Sequence, residues 1–459
     1  MQTRDARGEP VSNADTSVLQ HYETALERFQ TYVGDPVAAI DLALAEDPDF
    51  VLGHVFRATM LLLTSEARYL PEARSSVAAA EKLAKWANRR EQGLTRAARA
   101  WLQGDWSAAC QAWEAVLVEH PRDAFAVQAA HLSDFLLGDA LNLRDRPARV
   151  LPRWDRELPG YSYLLGMHAF GLEECNQYPE AERTARAALE LDPVDGWTVH
   201  AAVHVMEMQG RYEEGIRFLA EREQDWAPDN GFAFHNWWHL ALFQLERGDY
   251  PAALALYDRA IYAEPADLSM QMLDASALLW RLHLYGVDTG QRWAELAAVW
   301  QRKAADENGY YAFNDVHALM AYLGSGDHET AKRLLADMEW AAKQAGVSNR
   351  AMTREVGLPV ARGLMAFANE RYDEVIEVLA PVRGIAHRFG GSHAQRDLIY
   401  QSLVEAALRA RRTALAEHLI NERRLRKPHT PLTRRFASLA QPAAGAAPSA
   451  SQRVAAASS

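Results

Sequence analysis

Residues 234–265 read FHNWWHLALFQLERGDYPAALALYDRAIYAEP, and the punctuation of this stretch decides the fold. A helix-length, largely apolar run ends at Gly248; Asp249 and Pro251 open a second run, which stops at Glu264-Pro265. Glycine frees the backbone to leave a helix. An aspartate caps the next one, and a proline in its first turn lacks only an N–H that would have no partner there. Tyr250 fills the angle between the two helices, and Ala253, three positions on, lets their backbones approach. The segment is a helix–turn–helix hairpin.

The phrase recurs. It stands at Gly104-Asp105-Trp106 with Ala109, Asn176-Gln177-Tyr178 with Ala181, and Gly210-Arg211-Tyr212 with Gly215. Weaker copies are Gly326-Asp327-His328 with Ala331, Glu370-Arg371-Tyr372 with Val375, and Gly34-Asp35-Pro36 with Ala39. From Trp106 to Tyr372 the third positions are 72, 34, 38, 78 and 44 residues apart, so the two long gaps hold degenerate copies. A proline follows the first residue of three copies at one offset, 104→121, 176→193 and 248→265. Such self-similarity marks tetratricopeptide-like repeats, in which each hairpin shields its neighbour in a right-handed stack. The expectation is an all-α, TPR-like α-superhelix with a concave inner face, spanning 19–436. A flexible N-terminus (1–18) precedes it and a disordered Ala/Ser/Pro tail (437–459) follows.

Composition narrows the function. The 459 residues are 49% hydrophobic and 24% charged, with a net charge of −12. That balance belongs to a globular chain, and its sign argues against nucleic acid as a partner. The two cysteines, Cys110 and Cys175, leave no disulfide framework or Cys-based zinc site and fit a reducing, cytoplasmic setting. The polar opening MQTRDARGEPVSNAD suggests no secretory signal, and no apolar run is long enough for a membrane span. Trp86, Trp101, Trp106, Trp113, Trp280 and Trp293 read as core, and the basic run 423–427 as a solvated helix end. Cys175 reads as an inert thiol rather than a nucleophile. Phosphate-cradling loops and nucleophile-elbow motifs are absent.

In such a superhelix the first helix of each pair lines the concave wall, so chemistry is sought just before each turn. One such helix, VHAAVHVMEMQG, sets His200, His204 and Glu207 at i, i+4 and i+7 on one face. The next places His235 and His239 one turn apart around Trp237 and Trp238, at least one of which must face the hollow or the neighbouring repeat. Counted back from the turn aromatics, His168 stands at 10, His239 and His317 at 11, and Arg362 at 10. Equivalent offsets predict a rung of imidazoles and one guanidinium on the inner wall, with Glu207, Asp274 and Asp315 as acidic partners.

The blocks WTVHAAVHVMEMQGRYEEGIRFL, FHNWWHLALFQLERGDYPAALALYD and MLDASALLWRL resemble the tetratricopeptide repeat protein 38 family. The likeness runs from about Asp49 to about residue 410. The family's His, His and Glu fall on His200, His204 and Glu207. Its H-N-x-W-H falls on His235, Asn236, Trp238 and His239, its Asp on Asp274, and its Glu in the block holding Glu173 and Glu174. The resemblance implies a TPR-like superhelix and no particular reaction.

Three readings follow. In the first, a small molecule or peptide end binds in a concave pocket lined by His168, Glu174, Trp238, Asp274, Asp315, His317 and Arg362. In the second, His200, His204, Glu207, His235 and His239 are catalytic, by acid–base or metal-assisted, hydrolase-like chemistry. Paired H-x-x-x-H helices suit a divalent ion such as Zn, Mn or Fe on His200, His204, His235 and His239, although HExxH is missing because position 201 is Ala. The third is an interaction scaffold. Oligomeric state leaves no mark in the sequence.

Overall fold

The computed structural model describes residues 3–12, 14–344 and 347–441. Helices pair along the chain. They are α1 (Thr16–Thr31) with α2 (Pro36–Glu46), α3 (Val51–Leu63) with α4 (Leu70–Lys82), and α5 (Arg89–Leu102) with α6 (Trp106–Glu119). Next come α7 (Ala124–Leu137) with α8 (Ala140–Val150), α9 (Tyr161–Glu174) with α10 (Tyr178–Leu191), and α11 (Gly196–Met208) with α12 (Tyr212–Glu221). The short α13 (Glu223–Trp226) leads to α14 (Ala233–Arg247) with α15 (Tyr250–Leu256), α16 (Ser269–Leu284) with α17 (Arg292–Glu307), and α18 (Ala312–Gly324) with α19 (His328–Ala341). After α20 (Val347–Met352) follow α21 (Leu358–Ala368) with α22 (Tyr372–Val382), α23 (His393–Arg409) with α24 (Thr413–Arg426), and α25 (Pro431–Ala440). Among the described residues there is no strand, only two isolated bridges. The protein is an all-α, TPR-like superhelix.

The repeated phrase works as its chemistry dictates. Each second helix from α6 to α22 that carries a copy begins on the predicted residue: Trp106, Tyr178, Tyr212, Tyr250, His328 or Tyr372. The two double gaps contain the pairs α7/α8 and α16/α17, whose second helices begin on Ala140 and on Arg292, one residue before Trp293, and not on an aromatic. Gly248 takes the left-handed φ of 86° that ends α14, and Asp249 then caps α15 by accepting the Ala252 N–H. Gly215 answers a different need: a β-carbon there would sit 2.2 Å from the Phe243 ring, so α12 and α14 touch only because it has none.

The superhelix winds tightly enough for distant repeats to meet. The Gly231 N–H donates to the Tyr32 carbonyl at 2.7 Å, and Gln128 on α7 donates to the Phe29 carbonyl at the end of α1. Buried Lys303 on α17 binds Glu66, beyond the end of α3, at 2.8 Å, while the Ala67 and Arg68 N–H groups donate to Glu307. Helix α25 packs on α14 and α23. The inner wall is therefore largely filled.

Three expectations change. Residues 3–12 do not fray: Asp5, Arg7, Glu9 and Val11 are buried, and Arg90 on α5 joins Asp5 (3.0 Å) to Asp123 (2.6 Å). The segment reads as polar because its charges carry partners that are far away in sequence. Trp86 is no core residue; it is 53% exposed, with Lys85 Nζ 3.9 Å over its ring. Helix α25 extends to Ala440, past the boundary expected at 436, and residues 442–459 of the expected tail lie outside the described residues. No described helix is long and apolar enough to cross a membrane.

Candidate functional site

Helix α11 is buried over its whole length, an unusual state for a helix with two histidines and a glutamate. Asp195 caps it by accepting the Trp197 and Thr198 N–H groups. Neighbours α9 and α14 flank it, and α16 lies beyond α14. The i, i+4 spacing turns His200 and His204 toward α14, where the same spacing turns His235 and His239 back.

The four rings meet. Centroids lie 4.4 Å apart for His200–His204, 4.5 Å for His204–His239, and 4.9 Å for both His200–His235 and His235–His239. One nitrogen from each of the four falls within 4.8 Å of the others. None of the four side chains belongs to an open pocket; each residue is at most 3% exposed.

Carboxylates stand behind the rings. His235 Nδ1–H donates to Asp274 Oδ2 on α16 at 2.7 Å, and His239 Nδ1–H donates to Glu207 Oε2 at 2.8 Å. His204 Nδ1 lies 3.4 Å from Glu173 on α9. Both nitrogens of His200 and His204 and the Nε2 of His239 have no hydrogen-bond partner, and neither do both oxygens of Glu173. An unpartnered buried polar group costs about 1–3 kcal/mol, so this concentration at one spot asks for a ligand.

Burial sets the electrostatics. It pushes His200 and His239 well below the ordinary imidazole range, helped by the neighbouring imidazoles, and lowers His204 to about 4. It raises Glu207, Asp274 and, far more, Glu173, where the adjacent Glu174 adds to the effect. Burial would raise Glu174 too, but His393 and Arg396 outweigh it and hold that carboxylate below its usual range. Glu173, Glu207 and Asp274 on one side and His200, His204 and His239 on the other are thus driven toward their neutral forms, the condition that a buried cation reverses.

An aromatic jacket keeps the spot dry. Trp238 stacks on His235 at 5.2 Å and 16°, under the guanidinium of Arg281, while its neighbour Trp237 turns away onto Trp226. Phe170 contacts His200 and His204, and Trp197 contacts His200.

The remaining expected residues do not join the four. His168 is half-buried and donates from Nδ1 to the Arg144 carbonyl. His317 bonds the Phe313 carbonyl one turn back on its own helix. Asp315 accepts the Gly309 N–H, and burial pushes it up to about 8. Arg362 is exposed and pairs with Glu339 at 2.8 Å. His317 and Arg362 stand in repeats beyond α14, where the turn of the superhelix carries equal offsets away from the four; His168, on the adjacent α9, is instead turned toward α8 by its bond to the Arg144 carbonyl. Glu174 sits at the edge of the cluster, bound to Arg396 at 3.0 Å and to the His393 N–H at 2.7 Å. Cys175 lies in its half-buried place with its thiol pushed up by burial, no nucleophile's setting.

Two features escaped the sequence. His131 on α7 is fully buried beside Trp197 and Phe170, with both ring nitrogens unpartnered. It stands nine residues before Ala140, an offset close to the others, but α8 begins on alanine, so counting from turn aromatics skips it. The second is Lys427. The run 423–427 is no uniformly solvated helix end: Arg423 and Lys427 are buried, Arg423 pairs with Glu246, and Lys427 lies 3.2 Å from Glu246 and 3.7 Å from Glu207.

No protein-family model matches the chain. Among solved structures it is similar to the human IFIT1 dimer with m7Gppp-AAAA, at 14% identity and a TM-score of 0.45 over 94% of this chain and 95% of that one. It is similar to yeast Tom70 at 12% identity and 0.40 over 92% and 90%, and to Cut9 in the APC/C hetero-tetramer Cut9–Hcn1 at 11% and 0.33 over 93% and 96%. These are likenesses of fold, and none concerns the histidines.

Proposed function

We propose that the protein is a metal-binding TPR-like superhelix whose centre is held by His200, His204, His235 and His239. One observation carries this reading: four imidazoles from two helices converge in a dry interior with several of their nitrogens unpartnered. Nitrogen ligands bind a zinc-like ion at about 2.0–2.1 Å, so two on one ion stand at most about 4.2 Å apart. In a tetrahedral set neighbouring nitrogens stand about 3.4 Å apart, so the four, which lie within 4.8 Å of one another, close by up to about 1.4 Å on binding.

Asp274 and Glu207 orient the rings of His235 and His239 so that each Nε2 points away from its acid. Together with Glu173 they supply negative charge against a divalent ion. Imidazole donors suit Zn or Fe, and a carboxylate-rich second layer extends the range to Mn. The residues that carry the resemblance to the tetratricopeptide repeat protein 38 family are those gathered here, with Asn236 donating to the Gly196 carbonyl beside them. Metal-free acid–base catalysis fits less well, because burial holds the His200, His204 and His239 imidazoles in one protonation state near neutral pH. The expected open pocket for a small molecule or peptide end finds no space at the histidines themselves.

Elemental analysis of untagged protein is the test. A stoichiometry near one Zn, Mn or Fe per chain, lost in the His204→Ala and His239→Ala variants, supports the reading. A stoichiometry near zero that added Zn, Mn or Fe does not raise overturns it.

A further inference from the structure

Beside the histidines, where the end of α11 faces α23 and α24, lies a cleft of about 350 Å³, large enough for a small metabolite. Met208 forms one wall; Arg383, Arg396, Arg423, Arg426 and Lys427 line the others, against only two acids, Asp397 and Glu422. The net charge of −12 thus hides a strongly positive hollow.

The cations divide by their partners. Arg423 and Lys427 are buried and committed to Glu246, and Lys427 also approaches Glu207. Arg396 is bound to Glu174 and to the Gly391 carbonyl, and its Nη2 also stands 3.5 Å from His393 Nδ1. Arg383 is exposed and touches Glu422 at 3.1 Å. Arg426 is exposed, and among the described residues no carboxylate lies within ion-pair distance of it. His387, also in the cleft, is held below its usual range by burial and by the neighbouring guanidinium groups of Arg396 and Arg388. Guanidinium groups on two faces of a concave site match the flat, bidentate geometry of an oxyanion.

We infer that this cleft binds a small molecule bearing a carboxylate or phosphate group, gripped by Arg383, Arg396 and Arg426. The inference rests on the cleft and its charges, not on the metal. The bound anion would lie two side chains away from the histidines on two paths, through Arg396 and Glu174 and through Lys427 and Glu207.

The test is calorimetric titration of the full chain with inorganic phosphate and, separately, with citrate, at low ionic strength. Saturable binding of either probe, weakened about tenfold or more in both Arg383→Gln and Arg426→Gln, is expected. Both arginines are surface residues, and matching melting temperatures identify the variants as folded. Binding of neither probe at millimolar concentration overturns the inference, as does binding that both variants leave unchanged. Phosphate alone or citrate alone tells which oxyanion the cleft prefers. Elemental analysis of the same preparations keeps the two readings apart: metal-free protein that binds an anion sinks the metal centre only, and metal-loaded protein that binds none sinks the cleft only.

Discussion

His235 on α14 donates its Nδ1–H to Asp274 Oδ2 on α16 at 2.7 Å, a bond between residues 39 apart in sequence and both nearly sealed from solvent. The contact fixes which ring nitrogen carries the proton and which way the other one points. Without it, four histidines on two helices are four rotors; with it, and with the bond from His239 to Glu207, two are locked.

Asp274→Asn should therefore weaken metal binding without unfolding the chain. Loss of such an outer partner costs about 10–100-fold in metal affinity. Competition with a chromophoric chelator measures it, and an unchanged affinity would show that the rings need no carboxylate to hold their orientation.

Removing the metal should lower thermal stability. An ion present at about 100 times its dissociation constant stabilises the native state by about 2.7 kcal/mol. Dialysis against a chelator should lower the melting temperature of the wild-type chain by about 3 °C. The same treatment should leave a His204→Ala, His239→Ala double variant where it started.

Asp315 gives a pH dependence of definite sign. Its folded pKa is raised from 3.8 to about 8, so between those values the unfolded chain has lost a proton that the folded one keeps. Stability from this residue is present below pH 3.8 and is lost as pH rises toward 8. Asp315→Asn removes that titration while retaining an acceptor for the Gly309 N–H. Denaturant unfolding at about pH 5 and about pH 8 should show the variant gaining on the parent by on the order of 1 kcal/mol per pH unit. A constant difference would refute the assignment.

Arg90→Met tests the docked N-terminus. It would leave Asp5 and Asp123 buried without their shared cation, a loss of about 3–5 kcal/mol. Limited proteolysis should then cut within residues 3–12 of the variant well before it cuts the parent.

Gly215→Val should be destabilising by about 1–3 kcal/mol, because the added carbons meet the Phe243 ring where α12 crosses α14. Ala at the neighbouring solvent-facing Glu213 should have little effect in the same unfolding measurement.

The repeat was legible because it is local. Glycine or asparagine, a capping acid, an aromatic and a small residue act within a few positions of each other, and helices α6, α10, α12, α15, α19 and α22 begin where those residues stand. His200, His204, His235 and His239 were legible for the same reason, since i, i+4 spacing places two rings on one face in any helix. His317 and Arg362 share the offset but not the place, because what an offset cannot carry is the rotation between repeats, while His168 on the adjacent α9 turns its ring to the Arg144 carbonyl on α8. The burial of Lys427 and of Asp5 was equally hidden: both are charged residues whose partners, Glu246 and Arg90, stand far away along the chain.

By itself, then, the sequence determined the helices, their pairing and the two faces that bear histidines, since all of these depend on contacts within about one turn or one hairpin. Only the tertiary structure decided that adjacent repeats close those faces on each other, that Asp274, Glu207 and Glu173 stand behind them, and that the basic end of α24 folds in to shape a cleft beside them. The reason is physical: a charge or an unpartnered nitrogen is tolerated inside a protein only when something opposite compensates it, and what stands opposite is set by the winding of the superhelix.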